Sequence, residues 1–475
     1  MKKASESTNR NPPEKRSSFF YEHTFLLFSF LTLSTLVLIM AIVLFDNFMN
    51  FHTKWELTVT YMFGTLETDP AKASEEYAAG VRVAMQSIGW SNYEPADGVF
   101  NEAYMDDVKN SIKMDLAAGL KVVISPAIQY PPSWVMNLPG AHYVNQYGVT
   151  ASPGSAGGYG DPNFVFSQTV RDKVAQFETH VMQQLAADPE IGYRNIWAIR
   201  YVNGPLGEAL YPLADDQQGH NNSYWAYDAN AQGQGRDRPA TIPANPFPGW
   251  VPGDTTYHGQ PFSTAQVRQW YNWYLNALID FINWHTELYR NPHGINYQGY
   301  LQLLTPGVGA RAFEYNGSIA RYLDGSRDPN GTVSRAAVWY KIYPALVDKT
   351  GIVAYVTSMA DGSGIPQNDG CHGGEAQVNY ATDPQVDTWS AVRYISGLAD
   401  KYGMLKSGEN PGSGGQNQGV VYGLAMMQTA ARQMQSCHFQ GMFWAHDSDL
   451  YDGRSGVTLQ DYANVIASYN TSIGI

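Results

Sequence analysis

Residues 104–126 read YMDDVKNSIKMDLAAGLKVVISP and contain the repeating unit of the fold. Residues 104–118 place apolar side chains at the spacing of an amphipathic helix. Residues 121–126 form a short apolar, β-branched run that is typical of a buried parallel strand. A helix that leads into such a strand is part of a crossover connection between parallel strands.

This alternation recurs along the chain after residue 55. Eight runs are predicted to be strands, at residues 57–63, 81–87, 121–126, 195–202, 300–305, 351–358, 404–408 and 441–446. Helical patterns lie between them, for example at residues 104–118, 165–186, 264–289, 387–402 and 420–435. Eight such strands close into a (β/α)8 TIM barrel. A doubly wound open sheet also alternates this way, but no glycine-rich phosphate fingerprint follows the first strand.

Length and composition fit one enlarged barrel. The chain has 475 residues and is 44% hydrophobic, so a second domain is not required. Its net charge is -13, which argues against nucleic acid as a partner because phosphate binding needs clustered basic residues. Cys371 and Cys437 are too few for a disulfide framework or a zinc site. A single bridge between them is allowed outside the cytosol.

The N-terminal residues differ from the barrel. Residues 25–45 contain no charged side chain and, at ~1.5 Å per residue, are long enough to cross a ~30 Å hydrocarbon layer. Asp46 follows this span directly. The basic residues that precede it are Lys2, Lys3, Arg10, Lys15 and Arg16. The positive-inside rule then places the N-terminus in the cytoplasm. A cleaved signal peptide is the alternative, but no small-residue cleavage site follows Phe45.

We therefore expect four segments. Residues 1–24 form a cytoplasmic tail, residues 25–45 a transmembrane signal-anchor helix, residues 46–56 a linker and residues 57–475 the barrel. The barrel would lie across the cell membrane from the cytoplasm, in an extracellular, lumenal or periplasmic space.

Two glutamates follow predicted strands at the same rim of the barrel. Glu208 comes after the fourth strand in NGPLGEALYP, residues 203–212, and Glu409 comes at the seventh strand in KSGENP, residues 406–411. Loops after the C-terminal ends of the strands carry the chemistry in such barrels. Cleavage of a glycosidic bond needs one carboxylic acid and a second carboxylate that acts as base or nucleophile. Although a single loop Glu is more often a surface residue, the joint placement favours a catalytic pair.

Aromatic and amide side chains near strand ends are candidate sugar ligands. The aromatic candidates are Trp90, Tyr130, Trp134, Tyr211 and Trp444, and the amide candidates are Asn203 and Asn410. For each aromatic ring, packing in the core is the alternative role. His446, Asp447 and Asp449 lack the spacing of a metal site, and we predict neither a metal nor another cofactor.

At the two glutamates the chain resembles the β-amylases. Residues 204–212, GPLGEALYP, match their motif Gly-Pro-x-Gly-Glu-x-x-Tyr-Pro position for position. Residues 407–410, SGEN, are similar to their second motif, and residues 443–449 are similar to their final barrel segment. The resemblance implies that Glu208 is the general acid, that Glu409 is the general base and that the anomeric centre inverts.

The front half of the chain is similar to the microbial β-galactosidases, which belong to a retaining clan of barrel hydrolases. The similarity lies in WSNYEPADGVF at residues 90–100, GLKVV at 119–123 and PPSW at 131–134. That family implies a retaining β-glycosidase. Retaining members place their acid/base Glu directly after the Asn of the fourth strand, whereas here Gly204 follows Asn203.

The function expected from these observations is hydrolysis of O-glycosidic bonds in an oligo- or polysaccharide. The β-amylases have an Asp after the second strand and a His after the third, where this chain reads QSIGW at residues 86–90 and AIQY at 127–130. Because of these departures, a non-catalytic carbohydrate-binding or structural surface protein is the alternative function. Two irregular loop insertions are also expected, at residues 215–258 near Glu208 and at residues 362–383.

Overall fold

The computed structural model describes residues 61–151, 161–307, 309–360, 369–410, 423–453 and 456–470. These residues form a closed barrel of eight parallel strands, each paired with its neighbours in chain order. The strands are β1 (Met62–Thr65), β2 (Val83–Gly89), β3 (Lys121–Ala127), β4 (Ile196–Tyr201), β5 (Tyr300–Thr305), β6 (Ile352–Val356), β7 (Leu405–Glu409) and β8 (Gly441–Trp444). The prediction of a TIM barrel is confirmed.

Each predicted strand overlaps an observed one, and the main difference is at the start of the barrel. β1 begins at Met62, and the predicted residues 57–60 lie outside the described residues. The predicted membrane span at residues 25–45 also lies outside them. Among the described residues, no helix has the length and apolar character needed to cross a membrane.

The helices that surround the barrel include the five whose patterns the sequence predicted, with ends that agree to within a few residues. The surrounding helices are α1 (Ala73–Ala79), α2 (Glu102–Ala117), α3 (Gln168–Ala187), α4 (Thr264–Arg290), α5 (Ala312–Ala320), α6 (Trp339–Ala345), α7 (Ala391–Lys401), α8 (Leu424–Ser436) and α9 (Leu459–Tyr469). Single helical turns lie at Trp90–Tyr93, Ser133–Met136 and Gly192–Asn195. Side-chain caps fix several starts, and at α4 Ser263 and Gln266 form a reciprocal capping box.

The inside of the barrel is filled by alternate residues of the strands. One buried apolar cluster there contains Leu66, Val83, Met85, Val123, Ala198, Leu304, Tyr355, Phe443 and Ala445. Arg200 lies two positions after Ala198 on β4, so the period-two pleat directs it to the same interior face. A charged side chain thus enters the barrel near its C-terminal end.

The first predicted insertion is irregular, as expected. Residues 215–258, all of which are described, contain no helix, and their only regular pairing is a short ribbon of Thr256–Tyr257 with Gln260–Pro261. Contacts between aromatic rings, more than β-sheet hydrogen bonds, hold the insertion together. Trp250 stacks on Phe262 at 4.7 Å and meets Trp270 of α4 edge-on at 5.3 Å. This packing gives the loop a core of its own.

A disulfide joins Cys371 and Cys437. Cys371 belongs to the second predicted insertion, of which residues 369–383 are described, and Cys437 caps the C-terminal end of α8. The bridge that the sequence allowed is therefore formed, and it ties the loop after β6 to the helix before β8.

Candidate active site

Glu208 follows a tight turn in which glycine is required. At Gly204 an added Cβ would stand 2.5 Å from the carbonyl oxygen of Glu208 and 3.1 Å from that of Leu210. Gly207 has a φ of 77°, in the left-handed region that favours glycine. The turn is closed by the Gly207 N–H, which donates to the Gly204 carbonyl at 2.8 Å. The glycines of the motif therefore set the direction in which Glu208 leaves the strand.

The end of β4 is held from behind by two helices. The Val202 N–H donates to Nδ1 of His285 on α4 at 3.2 Å. His285 therefore carries its proton on Nε2, which lies 2.6 Å from Oε2 of Glu178 on α3. Asn203, the next residue, donates its amide to the backbone oxygens of Pro126 and Arg200 at 2.9 and 3.1 Å. This buried network fixes the start of the Glu208 turn.

The side chain of Glu208 contacts Arg335. Arg335 Nη2 donates to Glu208 Oε2 at 3.1 Å, and Arg335 Nε donates to the Tyr211 carbonyl at 3.3 Å. The Tyr211 N–H donates back to the Arg335 carbonyl at 3.2 Å. Burial raises the pKa of Glu208, and the negative charge of Glu409 raises it further, whereas Arg335 and the Thr357 hydroxyl act to lower it. The net shift of the pKa is upward.

Glu409 ends β7 and is 7% exposed. Its Oε2 accepts hydrogen bonds from Arg200 Nη2 at 3.2 Å and from the Tyr355 hydroxyl at 2.9 Å. The Arg200 guanidinium also lies 4.9 Å from the centre of the Tyr355 ring. Burial raises the pKa of Glu409, while Arg200, Tyr355 and His446 act in the opposite direction. The net shift of this pKa is also upward.

A second charged pair lies beside Glu409. His446 Nδ1 is 3.1 Å from Glu67 Oε2 in the loop after β1. The contact raises the pKa of His446 and lowers the pKa of Glu67, so both groups favour their charged forms. The Glu67 charge also raises the pKa of Tyr130, after burial as the main cause, which places Tyr130 at this part of the rim.

Three of the predicted aromatic ligands lie in the core. Trp90, Tyr211 and Trp444 are fully buried. Trp90 stacks on Phe177 at 5.3 Å, and Tyr211 stacks on Tyr274 at 4.1 Å. Their ring faces are covered by protein, so in this structure they support the rim from behind and offer no face to a sugar.

Of the remaining candidates, Asn410 hydrogen-bonds to the backbone, and two aromatic residues lie partly exposed at the surface. Asn410 makes a reciprocal pair with Ala445, donating to its carbonyl at 3.0 Å and accepting from its N–H at 2.7 Å. Tyr130 and Trp134 are partly exposed, and Trp134 Nε1 donates to the Glu94 carbonyl at 2.9 Å. Of the predicted aromatic ligands, these two have ring surface open for a ligand.

Sequence reasoning missed Arg200, Arg335, Tyr355 and Glu67 as neighbours of the two glutamates. Arg200 did leave a signal, because a charged residue within the apolar run of a barrel strand has to find a partner when it is buried. Arg335 left none, since it is 127 residues from Glu208 and lies in an irregular connection. Among the described residues, no group of three or more His, Cys, Asp or Glu could hold a metal ion.

Comparison with known proteins agrees with the barrel fold. A profile of the family described as Beta-galactosidase matches residues 67–198. The catalytic domain of β-amylase from Paenibacillus polymyxa has a similar fold, with a TM-score of 0.58 and 15% identity over 86% of this chain and 98% of that chain. The β-galactosidase of Marinomonas ef1 aligns with a TM-score of 0.48 and 12% identity over 86% of this chain and 59% of that chain. No curated protein sequence matches the chain.

The matched family and the β-amylase with the similar fold are both (β/α)8-barrel glycoside hydrolases, and the predicted resemblance to that clan is confirmed. The matched family segment contains the stretches at residues 90–100, 119–123 and 131–134 that resemble β-galactosidases. It ends before Glu208 and Glu409. The roles of the two glutamates therefore remain predictions from the motif and the geometry.

The turn at Gly204 generates a direct test. In a Gly204→Ala variant, the new methyl group would press on the carbonyl oxygens of residues 208 and 210, so we expect Glu208 to move and the turnover of a cleaved glycan to fall. A displacement of about 1 Å can cost on the order of 10²-fold in kcat/KM. Steady-state kinetics and thermal unfolding would measure the change.

Gly373→Ala is the matched control, because nothing lies within 4 Å of a Cβ at that position. We expect it to keep wild-type kinetics. Unchanged kinetics in the Gly204 variant would show that the turn does not control the position of Glu208.

Proposed function

We propose that this protein hydrolyses O-glycosidic bonds of an oligo- or polysaccharide, with Glu208 as general acid and Glu409 as general base. The observation that carries the proposal is the pair of carboxylates at the C-terminal ends of β4 and β7, each contacting an arginine. Two carboxyl groups at one barrel mouth are the arrangement that glycosidic cleavage requires.

The environments of the two groups support different roles. Burial raises the pKa of both glutamates, and at Glu409 the hydrogen bonds from Arg200 and Tyr355 oppose this shift by favouring the ionised form. The charge on Glu409 then opposes ionisation of Glu208, whose pKa burial already raises. Glu208 is therefore the group that keeps a proton for the leaving oxygen, and Glu409 is the one that activates water.

Inversion is the favoured stereochemical outcome. It is supported by the nine-residue motif around Glu208 and by the displacement of this glutamate from Asn203. A specific observation favours the retaining alternative, because Arg200 and Tyr355 hold the Glu409 carboxyl group in place, and a positioned carboxylate can also serve as a nucleophile. Proton NMR of the first anomer released separates the two, since inversion and retention give opposite configurations.

Replacement of either carboxylate tests the proposal. Glu208→Gln and Glu409→Gln keep the size of each side chain but remove the acid or the base, so kcat should fall by at least about 10²-fold in each variant. The measurement is product release from every glycan that the wild-type protein cleaves, with binding followed separately.

Glu75→Gln, on the exposed face of α1, is the control for removal of a negative charge. Full hydrolysis by the Glu208 variant would exclude the proposed acid. Binding without turnover by the wild-type protein across a broad glycan panel would instead support a carbohydrate-binding barrel.

The contact between Arg335 and Glu208 predicts how the pH dependence of kcat/KM changes when Arg335 is replaced. Its positive charge lowers the pKa of Glu208, so in Arg335→Gln the pKa should rise and Glu208 should stay protonated to higher pH. The alkaline limb of the plot of kcat/KM against pH should then move to higher pH. Arg268→Gln, which removes an arginine that contacts Asn316, is the control and should leave the limb in place. A downward shift in the Arg335 variant would contradict the assignment of this limb to Glu208.

We also propose that residues 25–45 anchor the barrel on the outer side of a cell membrane. The uncharged span and the basic residues before it support this arrangement. The Cys371–Cys437 disulfide also fits an oxidising compartment.

Deletion of residues 1–45 tests the anchor. The full chain should sediment with membranes and resist extraction by alkaline carbonate, whereas the shortened chain should remain in the supernatant, because the hydrophobic span is gone. Its glycosidase activity should be unchanged. Membrane sedimentation of the shortened chain would show that another feature binds it.

A further inference from the structure

The structure leaves few large apolar side chains open to solvent in the part of the chain that it describes. These are Tyr77, Val99, Met114, Tyr147, Phe313, Val347 and Leu424. Tyr147 is 45% exposed and stacks on a second ring, that of His220, with centroids 3.8 Å apart and planes 9° from parallel. Because His220 covers one face of Tyr147, the exposed area lies on the opposite face and the ring edge.

A buried polar network fixes the orientation of His220. Its Nδ1 lies 2.7 Å from Oδ2 of Asp216, whose side chain is fully buried. Asp216 Oδ1 also accepts the backbone N–H groups of Gln218 and His220 at 2.9 and 3.1 Å. Several hydrogen bonds are therefore arranged around one buried carboxylate, and the imidazole that they orient is partly exposed at the surface.

Asn145 connects that network to Tyr147. Its Nδ2 donates to Asp216 Oδ2 at 2.9 Å, and its Oδ1 accepts the N–H groups of Tyr147 and Val149 at 3.0 and 2.9 Å. One Asn–Asp contact thus fixes both rings, although they belong to different loops. The stack is pre-organised, which reduces the entropy that a ligand would lose on binding.

The stack lies on the loops after β3 and β4, and Glu208 belongs to the second of these loops. Tyr147 is at the tip of a hairpin after β3, in which Val144 bridges to Thr150, and His220 belongs to the insertion after β4. Tyr143 of this hairpin packs edge-on against Tyr211 at 6.0 Å, three residues beyond Glu208. Tyr147 is four positions after Tyr143 in the chain, a span of at most about 14 Å.

We propose that the Tyr147–His220 stack is an outer binding platform for one sugar unit of a long oligo- or polysaccharide, at a distance from the bond that is cleaved. The proposal rests on the proposed glycosidase function. A flat ring that is open on one face and braced on the other suits the apolar C–H face of a pyranose.

The surroundings of the stack favour a sugar over a protein partner. The turn that carries His220 otherwise presents polar side chains to solvent, namely Gln217, Gln218 and Asn221. Protein interfaces usually need a contiguous apolar patch, and a lone ring among amides does not make one. Amides can instead hydrogen-bond the hydroxyl groups at the edge of a stacked sugar.

A substrate-length series on the full chain tests the platform. In Tyr147→Ala, KM for long oligosaccharides should rise about two- to tenfold, because one aromatic stacking contact is lost. The kcat value, and kcat/KM for the shortest cleaved substrate, should not change. Tyr147→Phe keeps the ring and should behave as the wild type. Tyr77→Ala is the matched control, since Tyr77 is 40% exposed on α1, away from the rim loops.

The outcomes separate the platform from the proposed function. Equal KM values for wild type and Tyr147→Ala on long substrates would overturn the platform, while inactivation by Glu208→Gln would still support the hydrolase. If the wild-type protein cleaves no glycan, affinity electrophoresis through soluble polysaccharides replaces kinetics. Weaker retardation of Tyr147→Ala than of wild type would then support the platform, and equal retardation or none would overturn it.

Discussion

The burial of Glu409 is the constraint on which the site depends. An isolated ionised carboxylate is costly to bury, by several kcal/mol, unless a partner compensates its charge. Arg200 supplies that charge from β4, across the barrel interior, and Tyr355 adds a neutral donor from β6. Three strands thus meet at one carboxylate oxygen. Removal of Arg200 would leave the buried Glu409 charge without compensation, and removal of Tyr355 would cost it a hydrogen bond, so both residues also contribute to the stability of the fold.

Glu208 is positioned in a different way from Glu409. Its position comes from backbone geometry, because Gly204 has no space for a Cβ and Gly207 has a left-handed φ. Arg335 then contacts the side chain from an irregular connection, while His285 and Glu178 brace the end of β4 from the helical layer. One glutamate is therefore fixed by strands and the other by a turn. The turn leaves Glu208 more exposed than Glu409, with 16% of its side chain accessible against 10%.

The barrel could be predicted from the sequence because each strand is a short apolar run bounded by turn signals, which is a local property. The two glutamates could be found because they follow such runs. Their partners depend on which side chains share the barrel interior, and this requires the register of strands far apart in sequence, as for Arg200 and Glu409 at a separation of 209 residues. Trp90 and Tyr211 show a second limit. An aromatic residue near a strand end has the same sequence signature whether its ring stacks on a sugar or on Phe177 and Tyr274.

The pairing of Asn410 with Ala445 has a consequence for the order of folding. Asn410 follows Glu409 directly and binds the backbone just beyond β8, while the Asp69 N–H reaches Asp447 across 378 residues to close the ring. Contacts of such long range form late, because loop-closure entropy has to be overcome before they stabilise the chain. During synthesis from the N-terminus, both glutamates therefore leave the ribosome before the strand that completes their surroundings. The geometry of the two-glutamate site is then complete only when the last barrel strand has docked.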